Sequence, residues 1–189
     1  PLKVPVLGIE NFLLNPKRLE DFSLLRYLGI LASLTQDSLG NLSSLSNLTH
    51  LQLNVNDISE PKGLRHLKKL KHLSLFCIYY SWEGSTIKSQ RCNNPELTDI
   101  SFLKELKALE VLKIDHNVVE DVSVLEFLPR LQSLSLRANK IEHVSANLKL
   151  KELRHLDLAG NNIRDISFLG ASPKLRSLNL SGTEVANLS

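Results

Sequence analysis

Methionine is absent from the chain, the initiator included, and the expectation is that the natural protein continues beyond both ends. Tryptophan occurs once, tyrosine three times and cysteine twice. Two cysteines cannot make the disulfide framework of a small secreted domain, so a reducing, intracellular setting (cytoplasmic or nuclear) is the default expectation, with a bacterial or cell-surface setting as the alternative. No apolar run approaches about 18 residues, so no membrane-spanning helix is expected. The opening "PLKVPVLGIE" lacks the charged-then-apolar order of a signal peptide. A formal net charge of +3 is too mild to imply a nucleic-acid partner by itself. No G-x-x-x-x-G-K-[ST], G-x-S-x-G or H-E-x-x-H appears, and no nucleophile, base and orienting group stand out as a set. The chain is therefore expected not to be an enzyme, and no catalytic residue, metal ligand or cofactor is assigned.

What the chain does contain is leucine at a fixed period. "LEVLKIDHNVV" starts at Leu109, "LQSLSLRANKI" at Leu131, "LRHLDLAGNNI" at Leu153 and "LRSLNLSGTEV" at Leu175, each 22 residues after the last. "LTHLQLNVNDI" at Leu48 and "LKHLSLFCIYY" at Leu70 are one step apart in the same way. The shared frame is L-x-x-L-x-L-x-x-N-x-[IV], with Asn56, Asn117, Asn139 and Asn161 in the Asn slot. The L-x-L core alternates as a strand with one buried face must. Leucines three apart, such as Leu103, Leu106 and Leu109, suit tight 3₁₀-like returns. One such coil cannot bury its leucines alone, whereas stacked coils share a column.

These frames resemble the leucine-rich repeat, in its short 22-residue class. That class includes phosphatase-1 regulatory subunits, axonemal and centrosomal proteins, a spliceosomal protein and the bacterial internalins. The resemblance covers roughly Leu42 to Ser189, apart from one break, and its motifs are specific for fold rather than function. It implies an α/β fold: a right-handed solenoid with a concave parallel β-sheet, about eight coils and one inserted loop. Residues 1–189 read as one domain, with degenerate coils or a cap over 1–41, regular repeats over 42–76, the inserted loop over 77–95 and regular repeats over 96–189. Before the clear frames, Leu19, Phe22, Leu25, Leu28 and Ile30 repeat the spacing of Leu103 to Ile114, with Ser33 in the Asn slot. Val4, Leu7, Ile9, Phe12 and Leu14 read as a still earlier coil, and Asn15–Pro16 alternatively as a helix start. A D-[IV]-S series at Asp99, Asp121 and Asp165 reads as turn-capping rather than catalytic.

A solenoid's concave sheet is its usual contact face. The residues flanking the core leucines point out of it, among them His50, Gln52, Asn54, His72, Ser74 and Phe76. Lys113, Asp115, Arg137 and Asp157 make a mixed-charge patch that is either paired across strands or a docking site, with His155 beside it. Phe76 is an apolar residue where other coils carry small or polar ones, which marks it as a contact anchor or as covered by the insert.

The break runs through "FCIYYSWEGSTIKSQRCNN", Phe76 to Asn94, where the step between frames exceeds one period by seventeen residues. It holds Tyr79, Tyr80 and Trp82, residues enriched at interfaces. Three readings stay open here. The aromatics form a flap packed on the solenoid, or a knob that binds a partner, or Cys77 and Cys92 staple the loop or join His50 and His72 at a metal. Upstream, "KGLRHLKKLKH" supplies Lys68, Lys69 and Lys71, which with Lys88 and Arg91 are candidate contacts for RNA or another anion. The expected function is a protein–protein interaction scaffold or adaptor, acting through the concave face and the aromatic loop. The alternatives are an RNA-associated subunit of a ribonucleoprotein and a substrate-recruiting segment of an enzyme whose catalytic domain lies elsewhere.

Overall fold

The structure, a computed structural model, describes residues 22–30, 34, 36–56, 58–83, 86–91 and 97–185. The candidate coil from Val4 to Leu14, the Asn15–Pro16 helix start, Ser33 and Cys92 lie outside them. Nine strands occur among the described residues: β1 (Tyr27–Ile30), β2 (His50–Asn54), β3 (His72–Phe76), β4 (Ile78–Glu83), β5 (Thr86–Arg91), β6 (Val111–Asp115), β7 (Ser133–Ser135), β8 (His155–Asp157) and β9 (Ser177–Asn179). Seven form one open parallel sheet in the order β1-β2-β3-β6-β7-β8-β9. One short helix, α1 (Gln36–Asn41), and five 3₁₀ turns lie between strands, among them Lys62–His66, Ser101–Glu105, Ser123–Phe127 and Ser167–Ala171.

The leucine spacing explains both layers. In the strands, Leu51, Leu53, Leu73, Leu75, Leu112 and Ile114 all turn into the core. In the returns, Leu103, Leu106 and Leu109 are buried, and each donates its N–H three residues back, at 2.8–3.0 Å. Leu125, Leu128 and Leu131 repeat this at 3.1–3.2 Å. A spacing of three therefore places an apolar side chain inward and a 3₁₀ bond along the chain at the same residues. One coil departs: exposed Asn147 stands in the slot of Leu103, Leu125 and Leu169, no 3₁₀ turn forms there, and Leu148 and Leu150 enter the core instead.

The frame asparagines are buried, and two of them, Asn139 and Asn161, bind backbone groups of neighbouring coils. Asn139 Nδ2 donates to the carbonyls of Ile114 (2.7 Å) and Leu136 (2.9 Å), and its Oδ1 accepts from Val119 N–H (3.0 Å). Asn161 repeats the pattern on Leu136, Leu158 and Ile141. Asn117, in the coil that follows the insert, keeps only a bond to the Asp115 carbonyl, and its Oδ1 is buried with no partner among the described residues. After β6 the chain turns through the left-handed region once per coil, at His116 (φ 59), Ala138 (φ 53), Gly160 (φ 68) and Gly182 (φ 68). The first two carry a Cβ that this conformation disfavours.

The D-[IV]-S residues do cap turns. Asp99, Asp121 and Asp165 each accept the N–H two residues on, from Ser101, Ser123 and Ser167, at 2.7–2.8 Å. The bond from Ser101 holds the Asp99 carboxyl below its ordinary range despite partial burial. A carboxyl depressed in the folded state stabilises above its unfolded value and loses that contribution as pH falls through the folded one. Asp99→Ala is therefore expected to melt earlier than wild type at pH 7. The gap should close as pH drops below about 4, as thermal melts across pH would reveal.

Where a loop is expected, the backbone forms a β-hairpin. Strands β4 and β5 pair antiparallel as a separate two-stranded sheet, from Ile78↔Arg91 to Glu83↔Thr86. Two residues of sequence, Gly84 and Ser85, remain between Glu83 and Thr86. A Gly-Ser pair flanked by β-branched and aromatic runs is a hairpin signal, and it was legible in the sequence. Cys77, just before β4, is buried and disulfide-bonded, so it cannot join His50 and His72 as a metal ligand. No group of three or more metal-ligating side chains gathers among the described residues.

Candidate interaction surface

The strand register sorts the outward positions into files that cross the sheet. The first file is Tyr27, His50, His72, Val111, Ser133, His155 and Ser177, and the second runs Gly29, Gln52, Ser74, Lys113, Ser135, Asp157 and Asn179. Asn54, Phe76 and Asp115 open a third. In that file Asn54 is buried, which corrects its assignment as outward-facing, and Phe76 is half-buried. Both sit where the strands end and the chain turns toward the core.

The mixed-charge patch is not held by its own ion pairs. Asp115 Oδ1 accepts from Ser135 Oγ at 2.6 Å and from Arg137 N–H at 3.0 Å. Asp157 accepts from Ala159 N–H at 3.0 Å and from Asn179 Nδ2 at 3.1 Å. The carboxylates thus serve turns and neighbouring strands. Lys113, Arg137 and His155 are exposed, and none of the ion pairs among the described residues involves their side chains.

The basic run on the outer turns is mostly engaged. Lys68 lies 3.8 Å from Glu105, Lys71 3.0 Å from Glu110, Lys69 donates to Asn47 Oδ1 at 2.7 Å, and Lys62 pairs with Glu60. Lys88 and Arg91 fall on the hairpin, at register positions opposite Ser81 and Ile78. The register sets Tyr79 opposite Gln90, Tyr80 opposite Ser89 and Trp82 opposite Ile87.

The sequence reading set His50 beside His72 but missed the ring that extends them. Tyr27, His50 and His72 form a ring ladder, with centroids 4.2 Å apart for Tyr27–His50 and 4.1 Å for His50–His72. The signal was a slot shared by "LRYL", "LTHL" and "LKHL". The ladder edges a groove of about 400 Å³ lined also by Gly29, Val111 and Lys113. A Cβ added at Gly29 would meet nothing within 4 Å, so this glycine leaves the groove floor open. His50 titrates below its usual value because burial penalises its charged form. Nearby His72 and Lys71 push the same way, and Glu110 opposes them.

Comparison with known proteins agrees with this geometry. The family described as Leucine Rich repeats (2 copies) matches residues 151–189. A Leptospira interrogans LRR protein superposes with a TM-score of 0.70 at 22% identity, covering 92% of this chain and 41% of the other. The chain folds as a leucine-rich repeat protein. The internalin inlF of Listeria monocytogenes superposes with a TM-score of 0.57 at 23% identity, over 90% of this chain and 52% of that one. TLR13, solved with ssRNA13, gives 0.61 at 22% identity, over 88% of this repeat chain and 23% of TLR13. The chain thus spans about half or less of the length of these neighbours. No curated protein sequence matches it. Among the described residues no helix is long and apolar enough to cross a membrane.

Proposed function

We propose that this leucine-rich repeat chain is a non-catalytic protein-recognition module that binds through the open face of its sheet, aided by the β4–β5 ribbon. The observation that carries the reading is a set of exposed cationic and imidazole groups on that face. Its aspartates accept from turn N–H groups and from Ser135 and Asn179, while Lys113, Arg137 and His155 are exposed with no ion pair among the described residues, a pattern suited to a partner that supplies acceptors. The ribbon follows β3 directly in the chain and carries Tyr79, Tyr80 and Trp82, residue types enriched at interfaces. A two-stranded ribbon is marginal alone and gains by packing on something. The disulfide at Cys77 favours an oxidising, cell-surface setting over the intracellular one expected from cysteine count.

The test is affinity capture with the intact protein and two variants. Arg137→Glu with His155→Ala should release the partner while thermal melting stays unchanged. Tyr80→Ala with Trp82→Ala should weaken capture if the ribbon is a knob, and should lower the melting temperature instead if it is a flap. Capture indifferent to both variants would refute the proposal. Retention of RNA, with affinity falling steeply with salt, would move the assignment to the ribonucleoprotein alternative.

A further inference from the structure

We propose that the groove over β1, β2, β3 and β6 receives a carboxylate-bearing segment of a protein partner, and that His50 and His72 take up protons as it binds. This rests on the reading of the open face as a protein-recognition surface and adds to it the chemistry of the partner and a dependence on pH.

The groove's lining holds one fixed cation, Lys113, and no acid, while Arg26, Lys71 and Glu110 stand just ahead of its strands. From β1 come the Tyr27 phenol and, just before it, Arg26. From β3 come His72 and the preceding Lys71, and from β6 come Lys113 and the preceding Glu110. Glu110 is bonded to Lys71, a contact that holds its carboxyl below the usual range. Asp115, at the far end of β6, is taken by Ser135 and Arg137. Lys113 is exposed and has no ion pair among the described residues. An anion entering here therefore meets one fixed cation and displaces no internal carboxylate.

The imidazoles supply the rest. Two rings 4.1 Å apart repel each other when both are charged, so in the free protein one proton opposes the other. Thr49 Oγ1 lies 3.1 Å from the Arg26 carbonyl and 2.9 Å from His50 Nδ1. With the hydroxyl hydrogen on the Arg26 carbonyl, Nδ1–H is the donor to Oγ1. The neutral ring then carries its lone pair on Nε2, and protonation there makes a second donor. A carboxylate in the groove would offset both the burial penalty and the His–His repulsion. It stays ionised, and each imidazole draws its proton from solvent. Occupancy thus raises the imidazole pKa values, and by linkage lower pH tightens binding.

The probe is a labelled (Asp-Ser)₅ peptide, with (Asn-Ser)₅ as its neutral counterpart, titrated at constant ionic strength at pH 7.5 and 5.5. The aspartate peptide is expected to bind about tenfold tighter at the lower pH, the effect of one unit of pKa shift. The heat of binding should vary with buffer ionisation, as proton uptake requires. His50→Gln with His72→Gln should abolish the pH effect. Lys113→Gln should weaken binding at both pH values, Gly29→Trp should block it by filling the groove, and Lys140→Gln on an outer turn should change nothing. Equal binding of the two peptides, equal affinity at the two pH values, or no binding would overturn the proposal. A natural partner released by the Arg137 and His155 changes but indifferent to pH and to the histidine variants would sink this inference and leave protein recognition standing. Indifference to every face variant would sink both.

Discussion

Asn139→Ala should lower the free energy of unfolding by about 2–4 kcal/mol, the cost of orphaning two buried backbone groups. Those groups are the Ile114 carbonyl and the Val119 N–H, which lose a donor at 2.7 Å and an acceptor at 3.0 Å. The Leu136 carbonyl keeps a second donor, because Asn161 Nδ2 also binds it at 2.9 Å. The same substitution at Asn117 should cost about 1 kcal/mol or less. Among the described residues its side chain makes a single bond, to the Asp115 carbonyl, and its Oδ1 finds no partner. Urea unfolding of the two variants makes the comparison, since the residue type and slot are identical and only the neighbouring coil differs. Equal losses would mean that the inter-coil bonds contribute nothing.

The shared Leu136 carbonyl makes a sharper form of this test. Removing Asn139 or Asn161 alone leaves it one side-chain donor, and removing both leaves it none. The double variant should therefore cost more than the sum of the singles, by about 1 kcal/mol. Such excess would show that the asparagines act as a continuous ladder rather than as separate turn caps.

The regular part of the fold was legible because one residue type did two jobs at one period. Leucines at L-x-L spacing match a half-buried strand and leucines three apart a tight return, and Leu28 through Leu156 fall into that register. The degenerate frame at Leu25, Leu28 and Ile30 was also readable, and β1 pairs with β2 as that spacing implies. The turn role of Asp99, Asp121 and Asp165 followed from repetition. The site was less legible for a physical reason. A frame tells which side chains point out, but not which of them find partners. Lys113 and Asp115 look like one patch in sequence, yet Asp115 turns to Ser135 and the Arg137 backbone while Lys113 has no ion pair among the described residues. His50 and His72 were readable as neighbours in the frame, but Tyr27 was not, because it belongs to the degenerate frame 23 residues before His50. The hairpin was missed through weighing scarce aromatics as cargo instead of reading their alternation.

Leu112→Ala should be among the most damaging single changes, costing about 2–5 kcal/mol, whereas Leu178→Ala should cost about 1 kcal/mol or less. Both residues hold the same slot of the frame, on β6 and β9. Leu112 is fully buried and in register with Leu73 on one side and Leu134 on the other. Leu178 pairs with Leu156 on one side, and it is 40% exposed. In a stack whose stability is a sum over adjacent coils, a cavity at Leu112 weakens two of the described interfaces, and in a protein of residues 1–189 one at Leu178 weakens one. Position adds to the effect. The β3–β6 interface beside Leu112 is where the hairpin interrupts the chain and where Asn117 adds no inter-coil bond among the described residues, so its five-residue strand pairing carries the contact. Leu112→Ala should accordingly broaden urea unfolding and lower its apparent m-value, as the coils on either side of the seam melt separately. Amide exchange should rise at the backbone bonds that Glu110 and Val111 make to the Lys71 carbonyl, at 2.8 and 2.9 Å, before it rises in β8. Equal losses at Leu112 and Leu178, with one sharp transition for both, would mean that the column is a single cooperative core and not a chain of neighbours.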